Sequence, residues 1–261
     1  LVLLGNQETI MSDRLLGKVA IVTGGGSAIG AAQSKLFAAE GASICLADNR
    51  IDAAKLVADE IQQAGGNALA VELDVRDAKG WKDTVNIAED SFGPVGILCN
   101  NAGANFRVGF LEQTEEQFRQ IIDVGLVGSF LGIQAVVPSM KKIGNGVILN
   151  IGSLASIRAG GGPGYAAQKM AMVGLTRSAA QSFAKYAIRC VILSPGHVDT
   201  PFLRGNNEHS PNDWDTSIDN PDNYNHRLNA TPLGRLLDPD DIAKAFLFAA
   251  TDEASMITGS I

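Results

Sequence analysis

The chain has 261 residues, 46% of them hydrophobic and 19% charged, with 29 glycines. That composition excludes intrinsic disorder and a collagen-like repeat, and it fits one globular domain large enough to bury a substantial core. Against 28 acidic side chains stand 21 basic ones, a net charge of −7 with no Lys/Arg cluster, which excludes nucleic acid and anionic membranes as partners.

The first ten residues, LVLLGNQETI, lack the basic leader and cleavage pattern of a signal peptide and are too short for a membrane span. Met11 reads as a natural start, residues 1–10 as an upstream extension, and 11–261 as a single domain. From Lys18 onward, short apolar runs alternate with helical patterns. VAIVTG precedes a helix at 31–40, SICLAD a helix at 53–64, and ALAVELDV a helix at 79–92. VGILCN then precedes a helix at 114–143, and GVILNIGS a helix at 164–186 that leads into IRCVILSPG. The alternation predicts an α/β, doubly wound Rossmann-type fold, a parallel sheet with helices on both faces. Near-continuous apolar strands agree with burial on both faces.

Between 201 and 232 the sequence turns polar, with neither helical nor strand period. A loop of this length is a substrate lid or a surface insertion unrelated to chemistry, and its place after IRCVIL sets it on the carboxyl edge of the sheet. A helix at 238–250 follows, opened by the acidic DPDD. Cys45, Cys99 and Cys190 each sit in an apolar run rather than at metal-ligand spacing. They read as small buried hydrophobes, reduced, in a cytoplasmic protein without a metal site.

VAIVTG runs straight into GGGSAIG, so Gly24, Gly25, Gly26 and Gly30 fall in the first strand-to-helix turn. Without Cβ atoms, the backbone there can approach a pyrophosphate at a helix N-terminus, although a tight structural turn alone also accounts for glycines. Asp48 ends the second strand, where a carboxylate can accept hydrogen bonds from the adenosine ribose and would repel a 2′-phosphate. This favours NAD over NADP. Arg50, two residues on, is the one feature that could take a phosphate, and Asp48 can also serve as an N-cap.

Tyr165 and Lys169 lie four residues apart in a helical segment and so share one face. Ser153 closes the strand before them. A phenol with a pKa near ~10 is too weak a base at neutrality, but an ammonium beside it lowers that value. Lys169 is expected to supply this charge, Tyr165 to move the proton, and Ser153 to donate to the substrate oxygen as hydride passes between carbon and nicotinamide.

These segments together resemble the classical short-chain dehydrogenase/reductase family. TGGGSAIG, Asp48, the pair Asp74 and Val75, NNAG at 100–103, IGS ending at Ser153, YAAQK and PGHVDT stand in the family's order. The resemblance runs from about Leu16 to the end of the chain. It implies that Asp74 and Val75 meet the adenine, that Asn101, Ala102 and Gly103 line the adenosine side, and that Ser27 and Ile29 approach the phosphates. It also implies that Pro195, Gly196, Val198 and Thr200 bind near the nicotinamide, and that Lys169 holds its ribose. A homotetramer built on helices 114–143 and 164–186 is implied as well. The substrate pocket is expected to comprise Leu154, Ala155, glycines 160–162, His197, Phe202 and Trp214, an apolar lining suited to a small to medium hydrophobic or cyclic secondary alcohol. His197 reads as a passive contact more readily than as a second acid.

Three departures from the family pattern stand out. Ala28 replaces a usual glycine, which is tolerable if its φ stays negative. Gly125 occupies the position of the family's asparagine, thought to steady a water behind the active-site lysine, which implies a weakened proton relay. The sequence ends at ITGSI, before the family's usual final strand, so that strand is expected to be incomplete. Two other functions compete: an NADPH-dependent ketoreductase of the 3-oxoacyl type, and a catalytically impaired NAD-binding scaffold. Retention of Ser153, Tyr165 and Lys169 together speaks against the scaffold.

Overall fold

The computed structural model describes residues 13–206 and 208–261; the expected extension at 1–10 and the start at Met11 lie outside them. The alternation read from the sequence becomes β1 (Val19–Thr23), α1 (Ala28–Ala39), β2 (Ser43–Asp48), α2 (Ile51–Gln63), β3 (Asn67–Glu72), α3 (Ala78–Phe92) and β4 (Ile97–Asn100). It continues through α4 (Glu115–Ile122), α5 (Gly128–Ile143), β5 (Gly146–Ile151), α6 (Pro163–Phe183) and β6 (Ile188–Leu193), then α7 (Pro201–Arg204), α8 (Pro221–Asn229) and α9 (Pro239–Ala250).

The strands form one parallel six-stranded sheet in the order β3-β2-β1-β4-β5-β6. Val22 of β1 stands in register with Leu46 on one side and Cys99 on the other. The winding direction reverses between β1 and β4, and the loops leaving their carboxyl ends diverge into a crevice. One face of the sheet is covered through Phe37, Val57, Ile61 and Phe246, the other through Trp81, Val85, Val136, Met140 and Ala179. Strands β1 and β4 are buried along their whole length. This is the expected doubly wound Rossmann-type fold.

The helix expected at 114–143 is interrupted. Thr114 opens α4 in a reciprocal cap with Gln117, and a π-helical segment, Asp123–Val127, separates α4 from α5. Two features loosen the ladder there: Gly125 and Gly128 stiffen nothing, and Ser129 Oγ donates to the Gly125 carbonyl at 2.7 Å.

The reading of 201–232 as a stretch without helices is also corrected, because α7 and α8 lie inside it. Both start on proline, and the Asn220 side chain caps α8 by accepting from the Asp222 amide at 3.0 Å. No hydrophobic period marks this stretch because α8 is polar on all sides and the segment is organised by polar bonds. Arg204 reaches Asp199 and Asp219, each at 2.6 Å. Asn212 Nδ2 donates to the carbonyls of Phe202, Gly205 and Ser210. Past it, Val198 and Leu237 form a parallel bridge, and Asp238 opens α9 in a reciprocal cap with Asp241. At the last residues, the Gly259 amide donates to the Cys190 carbonyl at 2.7 Å and the Ile192 amide to the Ser260 carbonyl at 3.2 Å, along the outer edge of β6.

Candidate active site

The crevice is a cavity of about 800 Å³ along the carboxyl ends of the strands. At its floor the chain leaves β1 in a turn that only glycine fits. Gly24 has φ +61, and a Cβ on Gly30 would run into the Gly24 carbonyl. The Ser27 side chain makes no capping bond, so the first N–H groups of α1 face the cavity beside Ser27, Ala28, Ile29 and Gly30. Ala28 has φ +38, which corrects the expectation of a negative φ: its methyl sits in the left-handed region. Gly26 does not line the cavity. A Cβ there would lie 2.6 Å from the Ala54 amide nitrogen, and its own N–H donates to Asp48 Oδ2 at 3.0 Å.

Asp48 is 5% exposed, and its Oδ1 accepts from the Arg50 amide at 2.9 Å. The N-cap of α2 is Arg50 itself, so the Asp48 carboxylate steadies the glycine turn and the start of the α2 connection at once. Asp74 is gripped by the Arg76 guanidinium, which holds its carboxyl below the usual carboxylate range; Val75 beside it is buried. Thr23 Oγ1 accepts from the amides of Asn101 (3.0 Å) and Ala102 (3.1 Å) and so pins the end of β4 to β1. Asn101 Nδ2 donates to Gln33 at 2.7 Å, while its Oδ1 has no partner among the described residues. Gly103, Pro195, Gly196, Val198 and Thr200 complete this wall.

Beyond β5, Ser153 caps a short 3₁₀ turn, Leu154–Ser156, with Oγ accepting from the Ala155 amide at 3.2 Å. Tyr165, in the first turn of α6, stands beside the Ser153 side chain. Burial raises the phenol above its ordinary value, and the neighbouring Ser153 side chain and the positive charge of Arg107 pull it back. Lys169 is 5% exposed, donates from Nζ to the Ile151 carbonyl at 2.9 Å, and has Nζ 5.5 Å from the centre of the Tyr165 ring. Burial pushes its ammonium down to about 8. The lysine expected to lower the tyrosine is thus close to its ring but is not among the groups that shift the phenol. The charge acting on the phenol is that of Arg107, and lysine is tied to a strand-end carbonyl.

Leu154, Ala155, Gly160, Gly161, Gly162, His197 and Phe202 line the far end. Trp214 does not: it is 63% exposed and stands outside the cavity wall, because the 201–232 segment turns it outward. Burial is the main cause that lowers the half-buried His197, with the charges of Arg227, Arg158 and His226 adding to it, which favours the neutral ring. Sequence reasoning missed Arg107. Its guanidinium lies 5.0 Å from the Phe202 ring centre and donates to the Phe202 carbonyl and to Ser210 Oγ, both at 2.7 Å. Its only signal was a lone arginine in the apolar loop after β4. At Gly125, a side chain would meet Gln168, whose Cδ and Nε2 lie 2.6 Å from the Cβ position; that Nε2 is buried without a partner among the described residues.

The family model described as "short chain dehydrogenase" matches residues 18–211. The chain belongs to that family. As a short-chain dehydrogenase it is an oxidoreductase that works with a nicotinamide cofactor on a small molecule. It is 39% identical over 250 residues to the 2,5-dichloro-2,5-cyclohexadiene-1,4-diol dehydrogenase LinX of Sphingobium indicum, with 95% of each chain covered. It is 33% identical over 255 residues to a cyclohexanol dehydrogenase of Acinetobacter sp. strain SE19, covering 97% of this chain and 95% of that one. Among solved structures, that of gox2181 is similar at a TM-score of 0.87 and 29% identity, covering 97% of this dehydrogenase and 96% of that chain.

Proposed function

We propose that this dehydrogenase interconverts a cyclic or otherwise hydrophobic secondary alcohol and its ketone with NAD, Tyr165 acting as the acid/base. The observation that carries the reading is Tyr165 beside Ser153, with the buried Lys169 against its ring, at the wall of a cavity whose other end holds Asp48. Relatives named for a cyclohexadiene diol and for cyclohexanol support a six-membered ring as substrate.

The residues fit a nicotinamide dinucleotide. The turn at Gly24 and Gly30 is a cradle that a Cβ would fill, beside uncapped N–H groups suited to a pyrophosphate. Ser27, Ile29, Asn101, Ala102 and Gly103 flank that path, with Asp74 and Val75 toward the adenine. The unpartnered Asn101 Oδ1 awaits a donor, and Asp48 Oδ1 and Oδ2, each holding one backbone N–H, keep lone pairs for ribose hydroxyls. Arg50 approaches Asp48 only at 3.8 Å and is more than half exposed, so the carboxylate dominates the ribose position and favours NAD over NADP. When bound, the nicotinamide supplies the hydride acceptor or donor.

The chain's own part is positioning and proton transfer. Ser153 orients the substrate oxygen, and Tyr165 takes the hydroxyl proton in oxidation and returns it in reduction. Lys169 fixes the end of β5 to α6 and presents its charge to the cofactor ribose. Pro195, Gly196, Val198 and Thr200 hold the carboxamide side, and segment 201–232 closes over the substrate as a lid. Four copies would pack through the exposed Phe118, Phe130 and Ile143 of α4 and α5 and Met170 of α6. The three buried free cysteines suit a reducing cytoplasm.

The deciding experiment combines NADH formation at 340 nm on a panel of cyclic and acyclic secondary alcohols with cofactor binding by fluorescence. Turnover of cyclic alcohols with NAD is expected, together with weaker binding of NADP. Tight NADP binding with acyl-thioester reduction would replace this reading with the ketoreductase one.

A further inference from the structure

The far end of the cavity is lined by Arg107, Arg158, His197 and Arg227, in a chain whose net charge is −7. Arg14, Arg50, Arg76, Arg119, Arg204 and Arg235 all pair with carboxylates. Among the described residues, Arg107, Arg158, Arg177, Arg189 and Arg227 form no such ion pair, and of these only Arg107, Arg158 and Arg227 line the cavity. Arg107 and Arg227 are both partly buried, where an uncompensated guanidinium is costly. Their charges also act on one another. Arg227 opposes Arg107, which burial brings down to about 10 against the pull of Tyr165 and with a smaller push from Arg227, and it opposes His197 together with Arg158 and His226.

The carboxylates on the same cavity wall are committed elsewhere. Asp48 and Asp74 stand at the adenosine end on Gly26, Arg50 and Arg76; Glu208 acts on Arg76; Asp215 is exposed in the lid. Arg107 spends N–H groups on Phe202 and Ser210, and Arg227 spends one on the Asn223 carbonyl at 3.2 Å. Of five donors in each fork the rest are spare, in a geometry made for a planar anion.

Building on the reading of this cavity as an alcohol site, we propose that the substrate carries a carboxylate, bound by Arg107 and Arg227 while its hydroxyl lies at Ser153 and Tyr165. The substrate class is then a hydroxylated ring acid rather than a neutral alcohol. The ring spans the apolar wall of Leu154, Ala155 and Phe202 between the two polar ends. The arginines neutralise a charge that the apolar part of the pocket would otherwise reject, so they act in selecting the substrate, and Arg107 acts on the phenol as well.

The test compares cyclohexanol with 4-hydroxycyclohexanecarboxylate, both stereoisomers, on the full chain with NAD. The acid is expected to exceed the neutral alcohol in kcat/KM by tenfold or more. Arg227→Gln should lower the ratio of acid to neutral kcat/KM by about ten- to a hundredfold, the loss of one charge-assisted hydrogen bond, chiefly through KM of the acid. Arg107→Gln should do the same. If cyclohexanol is oxidised and the acid is no better, the alcohol reading survives and the carboxylate proposal is wrong. If the variants weaken NADH binding as much as they weaken use of the acid, the arginines serve the cofactor phosphates and the proposal also fails.

If neither alcohol is oxidised, the alcohol reading fails, and thermal shift of the NADH-loaded protein decides the anion site alone. Cyclohexanecarboxylate should then raise Tm more than cyclohexanol at equal concentration, and Arg227→Gln should remove the difference. No difference in the unsubstituted chain would overturn the site.

Discussion

Gly125→Asn restores the residue that the family places behind its active-site lysine, and the structure argues that the restored side chain does not fit. The Cβ of any residue at 125 lies 2.6 Å from Gln168 Cδ and Nε2 and 3.0 Å from its Cγ. Gln168 is 2% exposed, so its amide has no open solvent to swing into. Overpacking of this kind costs about 1–3 kcal/mol. The better helix propensity of Asn over Gly returns roughly 0.3–0.5 kcal/mol. A net loss of about 1–2 kcal/mol should lower Tm by roughly 2–8 °C in a chain of this size. Thermal unfolding of Gly125→Asn, Gln168→Ala and the double variant measures it. Gln168→Ala vacates the space, so the double variant should be more stable than the sum of the two single changes predicts, by at least ~1 kcal/mol of coupling. A Gly125→Asn protein as stable as the parent, or strictly additive variants, would refute the steric argument. With room made, the double variant is also the proper test of the relay. Raised turnover or a shifted pH profile in it, absent from Gln168→Ala alone, would show that the asparagine amide contributes.

Tyr165→Phe should keep NADH affinity within about twofold while turnover falls by roughly 10²–10⁴, the usual scale for a lost acid/base; survival of most activity would remove Tyr165 from the mechanism. Ala28 holds a φ of +38, a conformation that costs an L residue about 1–2 kcal/mol. Ala28→Gly should therefore gain roughly 0.5–1 kcal/mol after the greater entropy of glycine in the unfolded chain is subtracted. Calorimetry would expose the opposite sign. Because burial brings Lys169 down to about 8, its ammonium is present below that pH and is lost as pH rises through it. Tyr165 is shifted upward and stays protonated over the same range. Ketone reduction should therefore hold steady below about pH 8 and decline above it, and a profile flat to pH 10 would count against any role for the lysine charge.

The sheet was legible because each buried strand is a near-continuous apolar run, and each crossover helix repeats its apolar residues at helical spacing. Ser153, Tyr165 and Lys169 were legible for the same reason: strand ends and helix faces fix where side chains must meet. Three things were not. The π-helical break at Asp123–Val127 depends on where the Ser129 hydroxyl goes, which no hydrophobic period records. Helix α8 carries no apolar stripe and exists through its Asn220 cap and the polar bonds around Arg204 and Asn212. Trp214 was placed in the pocket on its chemistry alone, but the turn that presents it faces outward.

Arg107 is the most informative of the residues that sequence left unread, since it joins features that the motifs treat separately. Its side chain stacks on Phe202, bonds the Phe202 carbonyl and Ser210, and so ties the loop after β4 to α7 and to Ser210 beyond it. Its charge reaches Tyr165, where Lys169 was expected to act. One guanidinium therefore couples lid position, phenol acidity and the charge of whatever enters the pocket. A substrate anion that neutralises Arg107 would also withdraw the charge that lowers Tyr165, so binding a ring acid should raise the apparent pKa of the proton-transfer step. Cyclohexanol would leave that charge in place. The pH dependence of kcat for the acid should then lie above that for cyclohexanol in the same protein, and the two profiles should converge in Arg107→Gln. Parallel profiles for the two alcohols would separate the acidity of Tyr165 from Arg107 and leave burial and Ser153 as its controls.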